Sequence, residues 1–206
     1  MEQDRVADSD VHRERRRRAV VLLWLTVAWN VVEGGVAVAL GVLAGSVALV
    51  GFGLDSVIEI GAASVLLWRL GVPAAGGEAR RAERAAQRVV GATFIALAVY
   101  VVVQSAYAAV PGNEPATSAY GLGLSVLSVA VNPVLGVTKR RNAQRLDSAA
   151  LVAESTETLI CAYLAVTLLG GLAANAAFGW WWADVAAALA MVPWIAREGV
   201  EGLRGQ

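Results

Sequence analysis

Five carboxylates lie inside long apolar stretches of the sequence and are the first candidates for chemistry. They are Glu33, Asp55, Glu59, Glu154 and Glu157. An unpaired carboxylate is costly at the centre of a bilayer, and no Lys or Arg lies deep inside these stretches. We therefore expect protons or metal ions to balance these side chains.

Spacing divides four potential ligands into two pairs. Asp55 and Glu59 are four residues apart, as are Glu157 and Cys161, so each pair shares one helix face. A rise of about 1.5 Å per residue from the predicted helix ends puts Asp55 roughly 14 Å and Glu157 roughly 16 Å below the outer boundary. Two helices that offer oxygen or sulfur ligands at one depth could hold a metal ion between them.

Several residues admit more than one role. Cys161 could ligate a metal or pack as a small apolar side chain. Glu154 could complete the site, relay protons from the cytoplasm or line the access route. Asn30, Glu33 and Asp184 could lie behind the ligands or at the access route, or could serve in packing, hydrogen bonding and helix capping.

The elements that must carry these residues are six apolar stretches, each long enough for a helix that spans a membrane. They cover residues 19–43, 46–70, 89–110, 118–138, 148–174 and 180–196. With 57% apolar residues in 206 and a mean hydropathy of +0.58, the chain is too apolar for a soluble domain. The sequence predicts an all-α integral membrane protein, a bundle of six transmembrane helices. In the fourth stretch, Asn132 is expected to satisfy backbone freed by a kink at Pro133.

The basic residues are confined to the two ends and to alternate connections, which predicts the orientation. Placed on one side of the membrane, these segments contain all 17 Lys and Arg residues. They are Arg5, Arg13, Arg15, Arg16, Arg17, Arg18, Arg69, Arg80, Arg81, Arg84, Arg88, Lys139, Arg140, Arg141, Arg145, Arg197 and Arg204. Both ends are then cytoplasmic, an N-in/C-in arrangement. Residues 1–18 form a basic tail, and residues 19–204 form the transmembrane domain.

The second and fifth stretches resemble motifs of one transporter family. Residues 46–59, SVALVGFGLDSVIE, are similar to the second-helix motif of the cation diffusion facilitators. Residues 148–161, SAALVAESTETLIC, look like the family's segment Ser-x-Ala-Leu-x-Ala-Asp-x-x-His-x-x-x-Asp. The resemblance covers residues 15–204. It implies a homodimeric antiporter that exchanges a cytoplasmic divalent ion for protons, by alternating access at a site between helices two and five.

The sequence departs from the family pattern at the expected ligands. Glu157 and Cys161 stand where the family has His and Asp, and Glu59 is one methylene longer than the usual Asp. Loss of imidazole favours Mn²⁺ or Fe²⁺, whereas a Cys161 thiolate favours Zn²⁺. The family's C-terminal cytoplasmic metal-binding domain is not expected, since the sequence ends shortly after the sixth stretch. Dimerisation would then rest on membrane contacts.

The expected substrate is a divalent metal ion, Zn²⁺ or Mn²⁺/Fe²⁺, exchanged for protons, with no prosthetic group and no nucleic-acid partner. One alternative is a six-helix capture subunit for a small molecule such as a vitamin, which would not need facing acidic pairs. Another is a non-transporting membrane protein that binds metal and modulates a partner. An enzyme is not predicted, because the one histidine, His12, lies in the tail. The arginine-rich start fits a bacterial inner membrane.

Overall fold

The computed structural model is all-helical in the part of the chain that it describes. The helices are α1 Glu2–Ala44, α2 Val47–Gly71, α3 Gly77–Ala108, α4 Ala119–Arg145, α5 Ala149–Phe178 and α6 Trp182–Arg204. The structure describes the backbone of residues 2–71, 77–110, 116 and 118–204, and the side chains of 13–68, 88, 91–110, 116, 118–148, 151–152 and 154–204. The all-α prediction is confirmed for these residues.

Apolar length identifies membrane-spanning helices among the six. Within the described residues, α1 to α5 each contain a segment that is long and apolar enough to cross a membrane. Helix α6 does not meet the same measure, because charged residues occupy both of its ends. These helices are those of an integral membrane protein, whereas the sixth span and the N-in/C-in orientation remain predictions.

The basic N-terminal segment is helical and continuous with the first apolar stretch. Helix α1 begins at Glu2 and continues for 43 residues into the first apolar stretch. Neither Gly nor Pro occurs in it before Gly34, so nothing in residues 2–33 interrupts a helix. On its exposed surface, Arg18 Nη2 lies 2.6 Å from Glu14 Oε1, one turn away. Residues 2–18 are therefore helical and continuous with the apolar part of α1, and the boundary at residue 18 between a cytoplasmic tail and the transmembrane domain stays a prediction.

The basic ends of α1 and α4 lie side by side. Arg15 Nη1 donates to the Arg145 carbonyl at 3.0 Å, and Asn142 Nδ2 donates to the Arg15 carbonyl at 3.1 Å. This proximity is expected if the two basic segments lie on one side of a membrane. Other arginines used for the predicted orientation have side chains outside the described residues, namely Arg5, Arg69, Arg80, Arg81 and Arg84.

Serine residues begin three of the helices. Ser46, Ser118 and Ser148 precede α2, α4 and α5, and each hydroxyl accepts a hydrogen bond from the backbone N–H three residues later, at 3.1, 3.0 and 3.4 Å. Such caps satisfy N–H groups that have no partner within the helix. Helix α5 ends at Phe178 and is capped by Gly179, whose φ of 67° is a left-handed conformation that favours glycine. These signals fix the ends of α5 and the starts of α2 and α4.

Glycines allow the closest helix contacts. A Cβ built on Gly53 of α2 would lie 2.8 Å from the backbone N of Val38 and 2.9 Å from the carbonyl O of Gly34, both on α1. Gly91 of α3 and Gly199 of α6 meet in the same manner, since a Cβ on Gly91 would lie 2.8 Å from the Gly199 carbonyl O. Small residues permit such approach between helices in lipid. Helices α2 and α5 also contact each other, which brings the two acidic motifs together.

Apolar side chains fill the interior and also cover the outside. Phe52, Leu168 and Met191 are fully buried in the main core cluster. Large apolar side chains on the outer surface include Leu43 and Tyr120, more than four-fifths exposed. A soluble protein rarely exposes so much apolar surface, whereas lipid tails would cover it.

Candidate functional site

A pocket lies between α2, α3, α5 and α6, and acidic side chains from three of these helices line it. Asp55 and Glu59 come from α2, Glu157 from α5 and Glu198 from α6. The pocket encloses about 340 Å³, counting the space at its open side. Its remaining wall is apolar and consists of Phe94, Ile160, Leu164, Trp194 and Ile195. The acids of the second and fifth helices therefore face one space.

The carboxylates share the pocket but do not converge on a single position that an ion could occupy. Asp55 and Glu59 are buried, whereas Glu157 and Glu198 are partly exposed. Among the side chains that the structure describes, no three His, Cys, Asp or Glu residues are close enough to hold a metal ion together. Like charges in a poorly solvated space repel one another, so a cation in the pocket would draw the carboxylates inward.

Lys139 on α4 corrects the expectation that no basic side chain reaches the buried acids. Only 4% of Lys139 is exposed, and its Nζ lies 2.6 Å from Glu154 Oε1 and 3.8 Å from Glu59 Oε1. The long aliphatic chain of a lysine carries its ammonium several Å away from the backbone. A residue counted as part of a cytoplasmic connection thus delivers its charge to the interior of the bundle.

Thr158 links Lys139 to the pocket. The Lys139 ammonium donates to the Thr158 hydroxyl, and that hydroxyl donates to Glu59 Oε1. Glu154 is 4% exposed and does not line the pocket, and its Oε2 has no hydrogen-bond partner within the described residues. Glu154 therefore forms an ion pair with Lys139, and its predicted role at a metal stays a prediction.

A second polar cluster lies around Glu33, which is completely buried. Its Oε2 accepts a hydrogen bond from Ser56 Oγ at 3.1 Å, and its Oε1 accepts one from Asn132 Nδ2 at 3.2 Å. Trp29 Nε1 donates to Asn132 Oδ1 at 2.8 Å. Asn132 thus bonds to side chains of α1, and not to the backbone around Pro133 as predicted. The cluster joins α1, α2 and α4.

Cys161 connects this cluster to the pocket. Its side chain is 1% exposed, and Sγ lies 3.4 Å from Asn132 Nδ2 and 4.0 Å from Glu33 Oε2. The thiol also contacts the Asp55 carboxyl. Because Cys161 is not among the pocket-lining residues, it stands behind Asp55. Ligation of a metal by Cys161 stays a prediction.

Asn30 and Asp184 occupy different surroundings. Asn30 is 1% exposed, and neither atom of its amide has a hydrogen-bond partner within the described part of the chain. Asp184 is completely buried at the start of α6 and accepts hydrogen bonds from Ser46 Oγ at 2.5 Å and the Ala48 N–H at 3.4 Å. These contacts favour the capping role for Asp184, because its carboxylate covers the first N–H groups of α2.

Sequence reasoning missed Lys139, Thr158 and Glu198 as members of this region. A signal for Lys139 exists in α4, whose buried residues recur every three or four positions. They are Gly121, Ser125, Ser128, Asn132, Gly136, Lys139 and Ala143. Lys139 therefore lies on the buried face of α4, because it continues the stripe of small and polar residues. Glu198 follows the sixth apolar stretch and carries no comparable signal.

The two motifs that meet at the pocket agree with a comparison to known families. Residues 23–204 match the sequence model of the cation efflux transmembrane domain, which covers most of the chain. The chain belongs to the cation efflux family. This cation efflux protein is also 24% identical to Transmembrane protein 163 of Xenopus laevis over 154 residues, which make up 75% of this chain and 54% of that protein. It thus spans about half the length of this curated relative.

Family membership confirms the resemblance based on residues 46–59 and 148–161. The protein is an integral membrane member of a family of cation transporters. The pocket acids Asp55, Glu59 and Glu157 all come from these two segments. The pocket is therefore lined by acids from both of the segments on which the family resemblance rests.

Proposed function

We propose that this protein exports a divalent metal ion in exchange for protons, by alternating access at the pocket between α2 and α5. The single observation that carries the proposal is that Asp55, Glu59 and Glu157 line one pocket. No Lys or Arg is among the described residues that line it. A concave site that is lined by several acids and by no described basic side chain favours a cation as its ligand.

The chemistry of the lining residues supports Mn²⁺, Fe²⁺ or Zn²⁺ as cargo. Carboxylate oxygens suit Mn²⁺ and Fe²⁺, and no imidazole is present among the described pocket residues. Zn²⁺ stays within the proposal because carboxylates also bind it, and because Cys161 contacts Asp55 from behind. The relative affinities for these three ions are part of the test.

The proposed cycle uses the same carboxylates for metal and protons. A metal ion that enters from the cytoplasm binds Asp55, Glu59 and Glu157, and the protons that these groups hold are released. Reorientation of the bundle then exposes the pocket to the other side, where protons replace the metal. A homodimer in a bacterial inner membrane is the proposed assembly, with contacts between the apolar outer faces of the helices.

A flux assay tests the transport proposal. Purified protein is reconstituted in proteoliposomes, and Zn²⁺ and Mn²⁺ uptake is followed together with internal pH under an imposed proton gradient. The Asp55→Ala, Glu157→Ala double variant is expected to lose proton-coupled uptake. Glu14→Gln is the matched control, because it removes one exposed acid from α1 and should transport normally. Continued coupled uptake by the double variant would rule out the pocket as the transport site.

Binding measured separately from flux distinguishes the alternatives. Isothermal titration with Zn²⁺, Mn²⁺ and a panel of vitamins is expected to give heat only with the metals. A vitamin signal that Asp55→Ala leaves unchanged would instead support a small-molecule capture subunit. Metal binding without flux would support a non-transporting membrane protein that modulates a partner.

A further inference from the structure

Lys139 reaches Glu59 from α4, which contributes no residue to the described lining of the pocket. Its ammonium is held 2.6 Å from Glu154 and contacts Glu59 directly at 3.8 Å. Thr158 adds a second connection, since it accepts a hydrogen bond from Lys139 and donates one to Glu59. The side chains of Lys139, Glu59 and Glu154 are almost completely buried, so water screens their charges little.

Glu59 therefore has two possible cationic neighbours. Its carboxylate lines the pocket, where the cargo is proposed to bind, and its Oε1 is engaged by the Thr158 and Lys139 side. A carboxylate has acceptor positions on both oxygens, but its charge is shared between them. The Lys139 ammonium therefore lowers the attraction of the Glu59 carboxylate for a cation in the pocket.

We propose that Lys139 is a built-in counter-cation that competes with the transported ion for the charge of Glu59, and thereby sets how tightly the pocket holds that ion. This inference rests on the proposed function, in which the pocket binds a divalent cation. Lys139 is a positioning residue and not a ligand. Glu154 tempers the competition, because its carboxylate neutralises part of the lysine charge.

The ion pair of Lys139 and Glu154 beside the pocket would have a function in ion release. If Asp55, Glu59 and Glu157 bind a divalent ion together without an opposing charge, they would hold it so tightly that release becomes slow. An ammonium group in contact with one of these carboxylates would weaken metal binding without blocking the pocket. Lys139 does this from α4, which contributes no residue to the described pocket lining.

Four forms of the purified protein in nanodiscs test the inference. They are the unsubstituted protein, Lys139→Met, Glu154→Gln, and the variant with both changes. The measurement is the Kd for Mn²⁺ and for Zn²⁺ by isothermal titration, with circular dichroism to check the fold. Lys139→Arg is the conservative control, and its Kd should stay close to that of the unsubstituted protein.

Opposite shifts are expected for the two single variants. Lys139→Met should tighten metal binding at least about tenfold, as a unit charge several Å from a divalent ion does at an effective dielectric constant of about 20. Glu154→Gln should weaken binding by about tenfold or more, because it leaves the lysine charge without its partner. The double variant should return to within about threefold of the unsubstituted protein, because the charge pair is removed as a unit.

Other results of the titrations would contradict the inference or the proposed function. Weak binding by both Glu154→Gln and the double variant would overturn the inference and identify Glu154 as a ligand. Unchanged affinities in folded variants would also overturn it, since Lys139 would then be structural only. If Lys139→Met does not fold, the comparison of Glu154→Gln with the double variant decides alone. No metal binding by the unsubstituted protein would refute the proposed function itself.

Discussion

Gly53 should be intolerant of even one added methyl group, whereas Gly61 on the same helix should accept it. The perturbations are Gly53→Ala and Gly61→Ala. A Cβ at position 53 would lie 2.8 Å from the backbone N of Val38 and 2.9 Å from the carbonyl O of Gly34. A Cβ at position 61 would meet nothing within 4 Å.

The size of the effect follows from this overlap. Ordinary contact begins at 3.4 Å, so α1 and α2 would have to separate by about 0.6 Å at Gly53, the difference between 3.4 and 2.8 Å. The contacted atoms include backbone N and O, which cannot rotate away as a side chain does. Overpacking of this kind costs about 1–3 kcal/mol. The gain in helix propensity from Gly to Ala is similar at both positions, so it cancels in their comparison.

The assay is the free energy of unfolding of both variants, measured in detergent micelles by circular dichroism against increasing SDS. Gly53→Ala should be less stable than Gly61→Ala by about 1–3 kcal/mol. Separation of α1 and α2 at Gly53 would also displace Asp55, two residues away, so metal affinity at the pocket should fall in Gly53→Ala; Gly61→Ala, although two residues from Glu59, requires no neighbour to move and should keep its affinity. Equal stabilities, or a more stable Gly53→Ala, would refute the packing of α1 against α2 described above.

Two further predictions concern the ends of the bundle and its orientation. Asp184→Ala should lower the free energy of unfolding by about 1–3 kcal/mol, because the Ser46 hydroxyl and the buried Ala48 N–H lose their acceptor. Unfolding in SDS would measure this difference. Asp184→Asn should lose less stability, because its amide oxygen can still accept a hydrogen bond. In a Cys161→Ala background, Arg13→Cys should react with an impermeant maleimide only from the cytoplasmic side and Val110→Cys only from the other. Labelling of both from one side would contradict the predicted topology.

Several features could be predicted from the sequence because they depend on local pattern. An apolar stretch of about 20 residues must satisfy its backbone groups internally in lipid, which makes it a helix wherever it packs. Spacing of four residues puts Asp55 and Glu59 on one side of α2 whatever surrounds that helix. The family motifs on α2 and α5 were likewise recognisable from residue order alone. The helical conformation of residues 2–18 was not predicted, although many of the charged residues there favour a helix.

Only the tertiary structure decided which charges enter the interior. Lys139, Arg140 and Arg141 are adjacent in sequence and look alike as a basic connection. Successive residues of a helix point about 100° apart, so at most part of such a run can face a neighbouring helix. Packing of α4 on α5 buries Lys139 beside Glu154 and leaves the two arginines exposed. The sequence by itself determined that acids lie within the membrane helices. The contact between α4 and α5 determined that Lys139, a residue of the same chain, pairs with one of these acids.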